Sequence, residues 1–486
     1  MKRELSKLSG LDYEFTIIGT GPAGISLALG LSQKGKKVLL LEAGEYEYTA
    51  KSQQVYDGKI IGPDFGITAR RLRFFGGTSG IWGGMCRPLD DIDFEKFPIN
   101  KADMDPYLPE ASNILEIKGK FKDLPVNNEL KQIEFQSSPP VRFGQKYRKY
   151  IEDSNLIDFA LSANVLSIRE GLKTGFAEYL EVADENSEIH KIAINKVVIA
   201  CGGIENNRLL LWSQHLNKRL FSDLRIGSKW MEHPHFITGQ MIANYPEIYD
   251  VLNTGRMIGN LPEIYDTEKI LKVVYLGPTK AMMKSEGIGN AGIRLYIDPP
   301  AGNVGRMKQA INDIICIAPS YGKKLAALAN KNLICSVSVR MAWEQKPRKE
   351  NRVELDFDNK DKYGVPRVKL VWKYDQDDKR TARICMEKLG ELFLKKDIGR
   401  VGYLPYLDMD DDEIPSEFNF FYGHHMGGTP MGESDSNGVV DSNLKIFNTD
   451  NVWVAGSSVF TEAGHANPTL SIVQFSLRLA DHLSQG

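Results

Sequence analysis

The sequence predicts an α/β protein in two parts. One is a parallel sheet of the nucleotide-binding type, assembled from both ends of the chain; the other is an antiparallel sheet inserted between them. Three observations lead there. A βαβ pattern opens the chain at EFTII, GTGPAG, ISLALGLSQKG and KKVLLLEAG. Alternating strands, LICSVSVRMAWEQ, NRVELDFD and PRVKLVWKY, occupy the middle with turn signals between them. The closing NVWVAGSSV and TLSIVQFSLRLADHL return to the strand and helix types of the start.

Each element has a local reason. EFTII is β-branched and aromatic, as a buried strand is. The following helix carries apolar residues at helical spacing and stops at Gly35. KKVLLLEAG is a second buried strand, ending in the acid Glu42. Residues 45–95 are polar and rich in glycine and aromatics, and include RRLRFFGGTSGIWGGMCRPLDDIDF. Residues 100–115 read as a capped helix with Pro106 in its start, and VRFGQKYRKY (141–150) as a basic, exposed stretch. ANVLSIRE, GFAEYLEVAD and HKIAINKVVIACGG read as strands, the last as a parallel strand running into glycines. IENNRLLLWSQ and the amphipathic TARICMEKLGELFLKK are helices. The expected division is discontinuous: residues 1–95, 155–235 and 405–486 form the nucleotide-binding domain, and 96–154 with 236–404 form a substrate domain with helices flanking its sheet.

With 42% hydrophobic residues in 486, the chain can bury a large core. Lys and Arg number 61 against 63 Asp and Glu, so no bulk charge draws it to nucleic acid or anionic membrane. Its five cysteines, Cys86, Cys201, Cys316, Cys335 and Cys385, are scattered and odd in number, which argues against a disulfide framework. No apolar run reaches the ~18 residues of a membrane span, and the N-terminus lacks a signal-type apolar stretch. A soluble cytoplasmic protein is expected; a homo-oligomer is compatible with the sequence.

Gly19, Gly21 and Gly24 form GxGxxG between a strand and a helix, with Glu42 ending the next strand. In that context the pattern is a dinucleotide fingerprint: a tight turn, close approach of a pyrophosphate, close helix–strand packing, and an acid for the ribose hydroxyls. A second glycine segment, GGTSGIWGG (76–84), lets backbone approach a flat, extended ligand and favours FAD over a nicotinamide. HHMGGTPMG and GHANPTL together hold three of the eight histidines, the side chain suited to acid–base work near neutral pH.

These stretches, with CGGIENNRLLL and IGSKWMEHPHF, resemble the glucose–methanol–choline (GMC) oxidoreductase family in order and over almost the whole chain. The resemblance implies a Rossmann-like FAD-binding domain, a substrate domain on an antiparallel sheet, and oxidation of an alcohol to a carbonyl by hydride transfer to flavin N5. The HxxGT pattern places the base at His425, and the NPT segment places its partner at Asn467. An imidazole takes the hydroxyl proton as hydride leaves, and an amide steadies the developing alkoxide. His424, one residue early, is expected in packing or flavin contact; His465, otherwise in flavin support or loop packing, and Gln345, otherwise at an exposed strand end, are candidates for substrate.

The resemblance also assigns the flavin contacts: Gly19, Gly21, Pro22, Ala23, Gly24, Glu42, Ala43 and Arg73; Gly76, Gly77, Thr78, Ser79, Trp82, Gly83, Gly84 and Met85; Val165, Ala200, Cys201 and Gly202; Gly456, Ser457, Asn467, Pro468 and Thr469. The residue before Trp82, a flavin-linking histidine in the sugar-oxidising branch, is Ile81, so FAD is expected to be noncovalent, with no metal. HHMGGT, AGHANPTL and EQKPRKENRVELD resemble sugar- and glycoside-acting members, implying a carbohydrate hydroxyl as substrate and O2 or another acceptor for the electrons. A non-sugar alcohol, or a lyase with structural FAD, are the alternatives.

Overall fold

A computed structural model describes residues 1–8, 11–243, 272–297, 337–397, 399–419 and 423–485. At its centre is a five-stranded, all-parallel sheet in the order Val452–Val454, Lys196–Ile199, Phe15–Ile18, Val38–Leu41, Ile157–Ala160. These strands are almost continuously apolar because both faces are covered. Helices Pro22–Gln33 and Thr469–Ser484 pack together on the sheet. They cross closely because residue 30 is glycine: a Cβ there would sit 2.8 Å from that of Ala480. The first and last segments of the sequence thus share one core.

An eight-stranded antiparallel sheet forms the second layer system. Its path runs Gly399–Tyr403, His235–Ala243, Val337–Trp343, Ala291–Ile297, Lys272–Pro278, Leu130–Ser137, Met85–Cys86, with Leu124–Pro125 paired beside Leu130–Ser137. Helix Gln376–Lys395 covers it, burying Ala382, Cys385, Met386, Leu389 and Phe393 at the three- and four-residue spacing of one helical face. Among the described residues there are also two three-stranded sheets; in one, Gly58–Ile61 pairs in parallel with Pro366–Val371 and ties the early polar region to the middle of the chain. The α/β class with a parallel and an antiparallel sheet agrees with the sequence reading.

Several local expectations change. HKIAINKVVIACGG is two strands in different sheets, Ile189–Ala193 and Lys196–Ile199, because the chain turns at Asn195, whose amide donates to Tyr13 O (2.9 Å). Residues 100–115 are not one helix. Two short 3₁₀ turns precede a helix over Leu108–Ile114, and Pro106 and Pro109 each occupy an early helical position where no amide is needed. VRFGQKYRKY is mostly the helix Phe143–Asp153, with Phe143 and Ile151 buried and its basic residues outward. The start of LICSVSVRMAWEQ (333–336), Cys316 and Cys335 lie outside the described residues; Cys86, Cys201 and Cys385 are free thiols. Among the described residues no helix is long and apolar enough to cross a membrane.

Candidate active site

The fingerprint turn is built by contacts that only glycine allows. Gly19 has φ +105°, and a Cβ there would fall 2.5 Å from Ala200 O; at Gly24 a Cβ would fall 1.9 Å from Gly19 O. Gly21 is different, since a Cβ would meet nothing within 4 Å. Glu42 is buried and braces the turn: its Oε2 accepts from the Thr20 amide (3.1 Å) and hydroxyl, and its Oε1 from the Gly44 amide (2.8 Å).

The second glycine segment is clamped onto helix Phe143–Asp153. Arg142 donates to Ser79 O and Trp82 O at 2.9 Å each, and the Phe143 amide donates to Ser79 Oγ (3.1 Å). Residue 76 must be glycine because a Cβ would lie 2.4 Å from Gly144 N. Arg73 donates to Ala43 O (3.1 Å), Ser52 Oγ (2.6 Å) and Asn164 Oδ1, joining three segments distant from it in sequence. Asn206 accepts from the Cys201 amide (2.7 Å) and donates to Ala455 O (3.0 Å) and Ser458 Oγ (2.9 Å), fixing the last strand's loop against its neighbour's.

These loops surround one cavity of about 520 Å³. It runs from Glu42, Val165 and Cys201 to Tyr275, Gly292, Arg294 and Arg340 on the antiparallel sheet. Every residue the resemblance assigns to flavin lines it except Gly24 and Gly76, whose work is packing. At Gly21, Gly83 and Gly202 a Cβ would meet no protein atom within 4 Å, so bare backbone faces open space in the cavity wall. That is the cradle an extended dinucleotide with a flat ring requires, and the residues fit FAD. Burial pushes the Cys201 thiol up, so this lining cysteine is a thiol at neutral pH.

The histidines divide into two groups. The His425 ring packs against Phe65 (5.4 Å between centroids) and Trp230 (5.9 Å), and its buried Nε2 has no hydrogen-bond partner. Glu232 Oε2 is 3.8 Å from that nitrogen. Burial, with the nearby Arg71 charge, lowers His425 to about 3, and burial raises Glu232 to about 8 despite the amides that donate to it. At neutral pH this pair is therefore an uncharged acid beside an uncharged imidazole, not an ion pair.

His424 belongs to the second group. Its Nδ1 is 3.1 Å from His233 Nδ1, and its ring stands edge-on to His233 and His235, each 5.1 Å away. His233 Nε2 is 3.0 Å from Ala463 O. His465 sits beyond, near Phe135 (5.9 Å) and Asp90. The Asn467 amide donates to Met85 O (3.0 Å), leaving one N–H and its oxygen for a ligand. His424, His425, His465, Asn467 and His235 all line the cavity.

Gln345 is a correction. It is fully buried, not at an exposed strand end and not among the cavity-lining residues. Its oxygen accepts from the Glu232 amide (3.2 Å) and its amide donates to Lys373 O (3.1 Å), so it is a strut. The sequence reading gave no role to Thr20, Asn206, Glu232, His233 or His235. MEHPHF offered a signal for the last three, two histidines and an acid within four residues; the others are polar residues whose partners are distant in sequence.

Residues 347–476 match the family model described as GMC oxidoreductase. A 2-methyl-1,2-propanediol dehydrogenase of Mycolicibacterium austroafricanum is 22% identical over 96% of this chain and 94% of its own. The large subunit of a Gluconobacter japonicus fructose dehydrogenase is 26% identical over 33% of this chain, a match spanning 27% of that subunit. Among solved structures, pyridoxine 4-oxidase from Mesorbium loti has a TM-score of 0.56 at 15% identity, covering 97% of this chain and 99% of its own. A fungal aryl-alcohol oxidase has 0.59 at 14%, covering 98% and 99%. These two share the fold.

Proposed function

We propose that the chain, whose residues 347–476 match the GMC oxidoreductase model, is an FAD-dependent enzyme acting on CH–OH donors and oxidises a hydroxyl of a sugar or glycoside to a carbonyl. The observation that carries this reading is the single cavity joining the Glu42 fingerprint to histidines and Asn467. FAD, when bound, supplies the two-electron acceptor whose N5 takes the hydride. The protein's own residues handle the proton, the developing alkoxide and the exclusion of water. Sugar specificity is supported by the resemblance of HHMGGT and AGHANPTL to sugar-acting members, by the partial match to a fructose dehydrogenase, and by the polar floor of Tyr275, Arg294 and Arg340.

The motif spacing supports His425 as base, with Asn467 donating to the substrate oxygen. One observation favours a second reading in which His424 is the base. A carbonyl can only accept, so His233 Nε2 carries a proton towards Ala463 O; neutral His233 then has a lone pair on Nδ1, and His424 Nδ1 must donate to it. His424 Nε2 is left with a lone pair, the form a general base needs. Noncovalent FAD is supported by Ile81 and by the protonated state of Cys201. The deciding experiment is an anaerobic absorption spectrum with a panel of sugars, glycosides and simple diols. Bleaching of the flavin band by a sugar is expected; bleaching by a diol or aromatic alcohol alone would move the substrate class, and turnover without bleaching would favour a lyase.

A further inference from the structure

Alcohol oxidation leaves a proton behind, and a base that has taken it must lose it before the next turnover. His465 is a cavity histidine to which the chemistry above gives no task. It is 1% exposed. Its Nδ1 edge faces Gly292, where a Cβ would come within 2.9 Å, and both residues line the reaction cavity. On the opposite edge Nε2 is 3.5 Å from Asp90 Oδ2. Nδ1 has no hydrogen-bond partner, and Nε2 has none closer than this long contact to Asp90, a costly state for a buried imidazole and one that calls for a reason.

Asp90 faces the other way as well. It lines a second cavity of about 340 Å³ with Asp91, Asp123, Lys131 and Lys280, and the side chains of Asp91 and Lys280 reach solvent. The His465–Asp90 contact is thus the partition between the two cavities. The charges around it are ordered. Arg87 pairs with Asp90, Lys131 Nζ is 3.5 Å from Asp90 Oδ2, and Asn290 donates to the same oxygen (3.1 Å). Asp123 shares Arg87 and Lys131 (2.8 Å each). Asp93 and Glu344 are the remaining acids there, and burial raises Asp93 well above the carboxylate range. Burial works against the Asp90 charge too, but His465, Arg87 and Lys131 outweigh it and hold Asp90 well below the usual range. Burial lowers His465, against the pull of Asp90. A carboxylate therefore faces a neutral imidazole. A carboxylate only accepts, so Nε2–H turns to Asp90 and the Nδ1 lone pair turns to the reaction cavity.

We propose that His465 and Asp90 form a proton exit from the reaction cavity to the outer cavity, with Asp90 positioning His465 as its Nε2–H tautomer. The inference rests on the alcohol-oxidation reading. His465 Nδ1 accepts the proton given up by the substrate hydroxyl or relayed from the base, forming an N–H bond. The resulting imidazolium is steadied by Asp90. The ring then turns about Cβ–Cγ, the Nδ1–H bond breaks towards Asp90 and its proton passes to water in the outer cavity, and the ring turns back with its Nε2–H bond intact. No electrons move in these steps.

Two measurements on the FAD-loaded, full-length protein test the exit. The first needs no substrate: ¹⁵N-histidine NMR, with the His465 signals identified by their loss in His465→Gln. Protonated Nε2 and unprotonated Nδ1 are expected at neutral pH. Asp90→Asn, whose amide can donate to Nε2, should shift the ring to Nδ1–H, and Asp90→Glu should restore the first state. The second is stopped flow with a pH-indicator dye, using whichever alcohol of the panel bleaches the flavin. Proton release should keep pace with bleaching in the wild type and lag about tenfold or more in Asp90→Asn and His465→Gln. An Nδ1–H ring in the wild type, or release that keeps pace in both variants, overturns the proposal. If no alcohol bleaches the flavin, the oxidation reading fails, whereas the tautomer still decides the pair; if Asp90→Asn does not fold, the wild-type spectrum and His465→Gln decide it.

Discussion

The Nδ1 atoms of His233 and His424 are 3.1 Å apart, so one of these two imidazoles must donate to the other. Ala463 O, 3.0 Å from His233 Nε2, decides which: His424 donates. The order of the two residues in HHMGGT therefore becomes an experimental question with two separable answers. Loss of the true base should slow flavin bleaching by about 10²–10⁴-fold, whereas Gln at the other position should cost far less. Comparing His424→Gln with His425→Gln in rapid anaerobic mixing identifies the base. If His424 is the base, His233→Phe should also slow bleaching and change its pH profile, because the tautomer is no longer fixed.

Gly21 and Gly24 are two residues of one motif with different work. A side chain at 21 would enter the cavity; at 24 it would strike Gly19 O. Gly21→Val should keep its fold by circular dichroism and lose FAD affinity by at least about tenfold, a loss of roughly 1.4 kcal/mol or more. Gly24→Val should instead lower folding stability. Equal FAD affinity in Gly21→Val, measured by fluorescence titration, would show that the cradle is not where the dinucleotide lies.

FAD should leave the protein on acid precipitation. Residue 81 is isoleucine and the lining Cys201 is held as the thiol, so neither offers a nucleophile. Flavin absorbance that stays with the pellet would overturn noncovalent binding.

Gln345→Leu should destabilise the fold and spare substrate binding. The change leaves the Glu232 amide without its buried partner and Lys373 O with Asn351 as its remaining donor, which costs about 1–3 kcal/mol. Denaturant unfolding should shift by that amount with KM unchanged; a large change in KM would return Gln345 to the substrate site.

Stability should fall on both sides of a near-neutral optimum. Burial lowers His233 to about 4, so between its ordinary value near 6.5 and that point the unfolded chain binds more protons. His233 thus contributes stability above about pH 6.5 that is lost as pH falls towards 4, with a slope of about 1.4 kcal/mol per pH unit. Buried His424 and His235 act in the same direction. Glu232 has the opposite sign: raised to about 8, it holds its proton in the folded state, and its contribution is lost as pH rises from its ordinary value through 8. A melting-temperature profile of Glu232→Gln should keep the acid slope and lose part of the alkaline one.

The local rules of the chain made the parallel sheet legible. Phe15–Ile18 and Val38–Leu41 are apolar on both faces, and only a strand covered on both sides reads that way. GxGxxG and Glu42 were legible for the same reason, since turn, helix start and acid all fall within one βαβ unit. Where a polar side chain finds its partner across the fold, local pattern is silent. Asn206 meets Ala455 and Ser458 at separations of 249 and 252 residues, and nothing in CGGIENN announces it. Gln345 looked like an exposed strand end because alternation cannot tell a solvent face from a layer covered by another element.

By itself the sequence determined the α/β class, the nucleotide fingerprint and the residue types available for proton chemistry, because these depend on periodicity and on glycine's freedom over a few neighbouring residues. Only the tertiary structure decided which nitrogen of which histidine faces what. That depends on Ala463 O meeting His233, on His233 meeting His424 across 191 residues, and on Asp90 meeting His465 between two cavities. Tautomer and charge are set by such through-space partners, and the fold alone brings them within reach.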